Sequence, residues 1–286
     1  MSENGSLHWV SEVRRIPSLP HEVHHLIIAL SKEEIDFRQL GKIIGAHPGI
    51  AARLIALSNS AWSAPISPIT TIENACCRLG FSTVRSISIG LAVMSPFNTI
   101  KCPAFDIHRY WVSSMLVAEG AALLASATPF SKQNGELEQT ARTAGIMHNL
   151  GLLCLAHQMP QETQQALRRI SENPEMDLLN ALRQSASTDY CEVGGLVADI
   201  WGIPENLATS IKHHRDFRYQ AQDWELSRLV GIAAMLVSAL FRNQEDLPQF
   251  QSCPELQLSH DFNENVFCKL RGQFDKTSEM AKMLFK

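Results

Sequence analysis

Apolar residues recur every three or four positions through almost every segment longer than ten residues, which is the spacing of one face of an α-helix. Near the N-terminus, for example, Val23, Leu26, Ile27 and Leu30 share a face, and Pro20 suits the first turn of that helix. No segment alternates apolar and polar residues between hairpin turns, so no β-strand is expected. The pattern therefore predicts an all-α protein.

Short polar residues and glycines predict where several of these helices begin and end. Asp36 and Asp106 precede apolar periodic runs and are predicted N-caps. Thr70 and Glu73 have the spacing of a capping box, and Gly80 is predicted to close the helix that they open. These signals predict a series of helical hairpins in the N-terminal part of the chain.

Prolines, asparagines and glycines divide the rest of the chain. The segment 126–136 is polar, contains Pro and Gly, and is predicted to be a loop before a helix that carries His148. Residues 244–262 lose the helical period and contain two prolines, which predicts a linker before a last amphipathic helix. The other predicted helices cover 160–172, 175–187, 190–200, 204–214 and 224–242.

Composition and charge narrow the range of partners. The 286 residues are 45% apolar, enough for a sizeable core, and a formal net charge of -4 leaves no positive field for nucleic acid. The seven cysteines form no C-x-x-C pair, and an odd number of them without a recognisable secretion signal predicts free thiols in the cytoplasm. The longest apolar run, Leu229 to Phe241, is shorter than the roughly 20 residues that cross a bilayer and predicts a buried helix. No nucleic-acid or membrane partner is expected.

Three of the eleven histidines could belong to a metal site: His148, His213 and His214. A hydrolytic site needs imidazoles and carboxylates from several helices, but the neighbour of His148 is Asn149, whose neutral amide is a weak ligand. His213 and His214 lie about 100° apart on a helix, so at most one of them should point at a shared site. From the residues alone, His148 is better predicted as a packed, hydrogen-bonded core histidine than as a ligand. Of the other eight histidines, all except His108 are expected in solvent (His21, His24, His25, His260), in the N-terminal extension (His8), at a turn (His47) or on the face opposite His148 (His157).

Six sequence blocks occur in an order that resembles the HDOD domain, a helical relative of the HD-domain phosphohydrolases found in bacterial signalling proteins. The resemblance runs from about Ile16 to His214, and its most typical pieces are Asn59-Ser60, Leu79-Gly80 and the turn from Trp201 to Glu205. The blocks are IPSLPHEVHHLI, LGKIIGAHPGIAARLIALSNSAW, TIENACCRLGFSTVRSISIGLAV, YWVSSMLVAEGAALLA, AGIMHNLGLLCLA and YCEVGGLVADIWGIPENLATSIKHH.

This resemblance implies where an HD enzyme would bind its metal, and most of those positions have lost their ligand. The first histidine is replaced by Ser113, the aspartate of the central pair by Asn149, and a further histidine by Tyr190. The last aspartate has no acidic counterpart. The resemblance therefore predicts a vestigial site without a metal or another cofactor and without catalytic residues, formed by Ser113, His148, Asn149, Tyr190, His213 and His214.

The fold implied by the resemblance is a multi-helix bundle in which an N-terminal helical subdomain packs on a degenerate HD-like subdomain, with a groove between them. The predicted parts are an N-terminal extension (1–15), the N-terminal subdomain (16–104), the HD-like subdomain (105–243), and a linker with the C-terminal amphipathic helix (244–286). The last helix is expected to cap the bundle in preference to forming a dimer contact.

The function implied by the resemblance is that of a non-catalytic regulatory module, which binds another signalling protein or a small ligand. A protein partner is favoured because the chain has no Arg cluster or Gly-rich loop to hold a phosphate. Ser113, His148, Asn149 and His213 are expected to hydrogen-bond to one another across the old cleft. The alternative is a residual metal-dependent phosphohydrolase acting on nucleotides or cyclic dinucleotides, with a carboxylate supplied by Asp189, Glu192 or Asp199.

Overall fold

The computed structural model describes residues 16–31, 35–60, 62–132, 135–173, 175–249 and 253–285. Within these ranges every regular element is helical and no strand occurs, which confirms the predicted all-α multi-helix fold. The predicted extension 1–15, with His8, lies outside the described residues.

The N-terminal half is a series of short helices whose ends are set by local capping. Asp36 accepts a hydrogen bond from the Gln39 backbone at 2.7 Å in a capping box, as predicted for an N-cap. The predicted cap at Thr70 is wrong by one residue, because the Thr71 hydroxyl accepts the bond from the Asn74 backbone. Gly80, at a φ of 91°, ends one helix and leads directly into the next. The helices are α1 (His21–Ser31), α2 (Phe37–Gly45), α3 (Pro48–Ser58), α4 (Ile72–Leu79) and α5 (Phe81–Met94).

The second half begins with a long helix that Asp106 caps, its carboxylate accepting from the backbones of His108 and Arg109. The predicted loop 126–136 contains a short 3₁₀ turn at Pro129–Lys132. The predicted linker 244–262 ends early, because the last helix begins at His260. The helices are α6 (Ile107–Ala127), α7 (Leu137–Met147), α8 (Leu150–Gln158), α9 (Pro160–Glu172), α10 (Leu178–Ala186), α11 (Tyr190–Ile200), α12 (Glu205–His213), α13 (Trp224–Phe241) and α14 (His260–Leu284).

Helix α6 lies at the centre of the bundle, where it packs against α7, α13 and α14. Trp111 of α6 is fully buried, and its ring meets Phe285 at a centroid distance of 5.3 Å. Helix α14 also reaches α3, and the Trp62 indole donates to the Lys276 carbonyl at 3.0 Å. The last helix therefore packs on its own bundle, as predicted.

Direct contacts join the two halves of the chain. The Trp201 indole donates to the Pro17 carbonyl at 2.9 Å, and the His24 ring donates to the Gly202 carbonyl at 3.3 Å. His157, predicted to lie away from His148, places its ring Nδ1 within hydrogen-bond distance of the Asn98 backbone, 3.1 Å from the nitrogen and 2.9 Å from the carbonyl oxygen. The predicted subdomain boundaries and the groove between the subdomains stay predictions.

Two described helices, α6 and α13, are long and apolar enough to cross a membrane by length and composition alone, and the bent pair α4–α5 passes the same test as one span. The expectation that no segment is long enough to cross a bilayer rests only on the uninterrupted apolar run from Leu229 to Phe241, and the structure corrects it. Helix α13 begins before that run, and α6 reaches similar apolarity through alanines and leucines. In both helices 67% of the apolar window is buried inside the bundle, where it forms the core.

Candidate functional site

His148 lies at the junction between α7 and α8. The predicted continuous helix through this position is wrong, because α7 ends at Met147 and α8 begins at Leu150. His148 is the C-cap of α7, and its Nδ1–H donates to the Gly145 carbonyl at 2.7 Å. This bond satisfies a carbonyl in the last turn of the helix, so the histidine has a local structural role.

His214 repeats this local arrangement at the end of α12. It is the C-cap of that helix, and its Nδ1–H donates to the Ile211 carbonyl at 2.9 Å. In both histidines the donor bond leaves Nε2 as the nitrogen without a proton. His148 and His214, two of the three histidines of the predicted vestigial site, therefore share one capping geometry.

The two capping imidazoles meet in the interior. Their ring centroids are 5.5 Å apart and their planes lie at 86° to one another. Burial lowers the pKa of His148 to about 4, against the favourable effect of its bond to Gly145. Burial also lowers the pKa of His214 well below its usual value, and the neighbouring His148 and Arg215 lower it further. Both rings are therefore neutral at pH 7.

Tyr190 and Cys191, at the start of α11, pack on His214 and help to bury the two imidazoles (His148 and His214, the covered pair). The Tyr190 ring lies 5.9 Å from that of His214, and Cys191 Sγ lies 3.9 Å from His214 Nδ1. Both residues are buried, and burial raises the pKa of the phenol and that of the thiol. The position predicted to align with an HD histidine thus holds a phenol that stays protonated, and the adjacent sulfur also stays protonated, which makes it a poor ligand.

Two glycines allow the helices around the histidines to approach closely. A Cβ on Gly151 of α8 would overlap the carbonyl oxygen of Tyr190, and a Cβ on Gly231 of α13 would overlap that of His214. Backbone contact at these points holds α11 against α8 and the end of α12 against α13. The glycines therefore fix the spacing of the site.

Within the described residues, the other predicted site residues do not hydrogen-bond to His148 or His214. His213 is half-buried and stacks on Tyr219, with centroids 4.0 Å apart, which confirms that only one of the adjacent histidines points inward. The side chains of Ser113 and Asn149 are half-buried and make no hydrogen bond within the described residues. The predicted hydrogen-bond network across the cleft is therefore wrong, because His148 bonds to the backbone of its own helix.

None of the proposed replacement carboxylates is directed at the histidines. Asp189 caps α11 through the backbones of Cys191 and Glu192, and binds Arg183 at 2.7 Å. Glu192 accepts from the Thr188 hydroxyl at 2.8 Å, and Asp199 is exposed.

The residues present do not fit the dication that an HD enzyme would hold. In the part of the chain that the structure describes, no three His, Cys, Asp or Glu side chains are grouped so that they could hold a metal ion. A buried metal site usually has about three or four protein ligands, and among the described side chains only two imidazoles, those of His148 and His214, meet here, both of them neutral. No chemical step is therefore assigned to a metal here.

A polar pocket of about 610 Å³ lies outside the covered pair. Cys191 and His213 line it, whereas His148 and His214 do not. Arg215 pairs with Asp177 at 2.9 Å, a contact that sequence reasoning missed although Arg215 follows His214 directly. The basic side chains of the lining are Arg183, Lys212 and Arg215. Its acidic side chains are Asp177, Asp189, Glu192 and Asp216.

Comparisons with solved structures agree with this fold. A provisionally named signal transduction protein from Marinobacter aquaeolei VT8 has a TM-score of 0.81 at 22% identity, covering 98% of this chain and 65% of that one. This chain therefore spans about two thirds of the length of that relative. An HDOD domain protein of unknown function from Geobacter sulfurreducens has a TM-score of 0.71 at 20% identity, covering 99% and 97% of the two chains. A provisionally named phosphohydrolase from Shewanella amazonensis SB2B has a TM-score of 0.68 at 21% identity, covering 96% and 97%. At these identities the structures show a shared fold.

A search of curated proteins gives no match to this chain. The HDOD domain family, which is related to the HD metal-dependent phosphohydrolases, matches residues 16–217 and so includes both histidines of the covered pair and the pocket around Arg215. This chain belongs to the HDOD domain family.

Proposed function

We propose that this chain is a non-catalytic signalling module that acts by binding another protein. The observation that carries the proposal is the state of the old metal position, where His148 and His214 are buried, neutral and bonded to the backbone of their own helices. Cys191, which contacts His214, lines the polar pocket, whereas the two histidines do not. Among the residues that the structure describes, such a site offers neither a ligand set for a dication nor an anionic group to activate water.

The charges of the polar pocket favour a protein over a nucleotide. Four carboxylates face three basic side chains there, and Arg215 and Arg183 are already paired with Asp177 and Asp189. A phosphate needs unpaired donors and a positive field, whereas a surface of mixed charge suits a polar peptide segment. We therefore propose the mouth of this pocket, including Lys212, as the contact surface.

A role in signalling is supported by the name of the Marinobacter relative, a signal transduction protein. The unpaired state of all seven cysteines supports a reducing compartment such as the cytoplasm. The burial of the long apolar helices within the bundle supports a module without a membrane partner.

Metal content and turnover test the absence of catalysis. Tag-free protein purified without chelator is analysed for Mn, Fe and Zn, and assayed on a generic phosphodiester and on cyclic dinucleotides with added Mn²⁺. We expect neither metal nor turnover that depends on His148. Stoichiometric metal that is lost together with phosphodiesterase activity in His148→Ala would overturn the proposal, and His260→Ala is the matched exposed control.

Charge reversal tests the contact surface. Wild-type protein, Lys212→Glu and Lys282→Glu are used as baits in extract of the native cell, with chemical cross-linking and mass spectrometry as the readout. Both lysines are exposed, but only Lys212 lines the pocket. We expect a protein that cross-links near the pocket in wild type, is lost with Lys212→Glu and is kept with Lys282→Glu. Equal capture by both variants, or a co-purifying small molecule without a protein, would contradict the proposal.

A further inference from the structure

Helix α1 carries a pair of exposed histidines away from the covered pair. His21 and His25 are four residues apart, so the helix places them on one face. Their ring centroids are 4.4 Å apart with planes at 73°. We propose that His21 and His25 together bind a divalent transition-metal ion that prefers imidazole, with Cu²⁺ bound most tightly.

The ring separation fits shared coordination. A metal–nitrogen bond of about 2 Å places the ion about 3 Å from each ring centroid, so two ligands at a right angle have centroids about 4.5 Å apart. The observed 4.4 Å lies close to this value. Both side chains are exposed and can rotate to turn a nitrogen towards the ion without disturbing the core.

The third histidine of α1 is already engaged. The His24 ring donates to the Gly202 carbonyl at 3.3 Å, and its centroid lies 6.3 Å from that of His25. Recruiting His24 would break a contact between the two halves of the chain. The proposed site therefore has two protein ligands, with water completing the coordination, and the exposed Glu22 carboxylate offsets the positive end of the helix.

The chemistry of the donors decides the class of metal. Neutral imidazoles suit Cu, Ni and Zn, and the order of divalent affinities places Cu²⁺ first. Mg²⁺ and Ca²⁺ prefer oxygen ligands and are not expected to bind here. Once the first imidazole has bound the ion, the helix holds the second imidazole at a high effective concentration. The pair therefore binds the ion more tightly than either ring alone.

Copper binding to tag-free full-length protein tests the pair. Calorimetry with a weak competing chelator gives the affinity, and electron paramagnetic resonance gives the number of nitrogen ligands. We expect one Cu²⁺ with two imidazole nitrogens in wild type. His21→Ala and His25→Ala should each lower the affinity about tenfold or more, which corresponds to about 1.4 kcal/mol.

Three controls separate this pair from other histidines. His260→Ala removes an exposed ring elsewhere, His8→Ala removes one from the N-terminal extension, and His24→Ala removes the engaged neighbour. All three should bind Cu²⁺ as wild type does. Unchanged affinity in both His21→Ala and His25→Ala, or an equal loss in any of the controls, would overturn the assignment.

Thermal unfolding adds a readout that depends on the folded helix. The unfolded chain does not hold His21 and His25 on one face, so Cu²⁺ should raise the melting temperature of wild type. The rise should disappear in His25→Ala. A rise of the same size in that variant would show that the stabilising ion binds elsewhere.

Discussion

At the scale of single residues, the two buried histidines are accounted for by capping. Each donates to a carbonyl three residues earlier, Gly145 for His148 and Ile211 for His214, and each closes its helix. Such a bond satisfies a helix-end carbonyl without any metal. The imidazoles therefore have a structural role that does not depend on a metal.

Burial of these rings makes stability depend on pH. The pKa of His148 is about 4 in the folded chain and 6.5 at its ordinary value, so between these pH values the unfolded chain takes up a proton that the folded chain excludes. The free energy of unfolding should therefore fall as the pH drops from 6.5 to 4, by about 3 kcal/mol from this group. Well above pH 6.5 the group contributes no pH dependence, because it is then unprotonated in both the folded and the unfolded chain. Urea unfolding at a series of pH values measures the slope.

His148→Asn tests the source of this slope. The amide can still donate to the Gly145 carbonyl but does not titrate. We expect a shallower fall on acidification, with the remaining part due to His214, and a loss of about 1 to 3 kcal/mol at pH 7.5 from the smaller side chain. His260→Asn, at an exposed position, should keep the wild-type slope. A slope unchanged by His148→Asn would show that another group causes the acid sensitivity.

At the scale of helices, backbone contact at glycines sets how closely the elements around the site pack. Gly151 lies against the Tyr190 carbonyl and the Gly194 backbone, whereas Gly272 of α14 has open space where a Cβ would lie. Gly151→Ala should therefore destabilise the chain by about 1 to 3 kcal/mol through overpacking. Gly272→Ala should stabilise it by about 0.5 to 1 kcal/mol, because alanine is the better helix former.

Denaturant unfolding of both variants measures this difference. The two substitutions add the same methyl group, so the comparison isolates the effect of the close helix contact. If Gly151→Ala were as stable as wild type, α8 and α11 would have room between them, and the spacing of the covered pair would need another explanation.

Local patterns in the sequence predict most of the helices but not the geometry of the site. Helices 160–172 and 190–200 match α9 and α11 residue for residue, because their ends carry proline or aspartate signals. The sequence does not predict the break at His148, since neither proline nor glycine occupies positions 148 and 149 and the apolar pattern continues through them. The hydrogen-bond partner of each imidazole depends on how the helices pack and on which backbone carbonyls lie nearby. The types of side chain in the sequence reveal neither of these.

At the scale of the whole molecule, contacts distant in sequence make the two halves a single packed unit. The core cluster of buried residues includes helices from α1 to α14. Trp201, typical of the HDOD turn, is buried and donates to the Pro17 carbonyl, while its ring lies 5.5 Å from that of Phe97. One residue of the HD-like half thus holds two segments of the N-terminal half.

Substitution of Trp201 tests whether the halves unfold together. Trp201→Ala should cost about 3 to 5 kcal/mol, and Trp201→Phe, which mainly removes the bond to Pro17, about 1 kcal/mol. Trp224→Phe is the matched control, because the Trp224 indole is only half-buried and makes no hydrogen bond within the described residues. Tryptophan fluorescence and far-UV circular dichroism should report the same midpoint in every variant, because the shared core couples the halves. Two separate transitions in Trp201→Ala would instead mean that each half folds on its own and that this tryptophan only docks them.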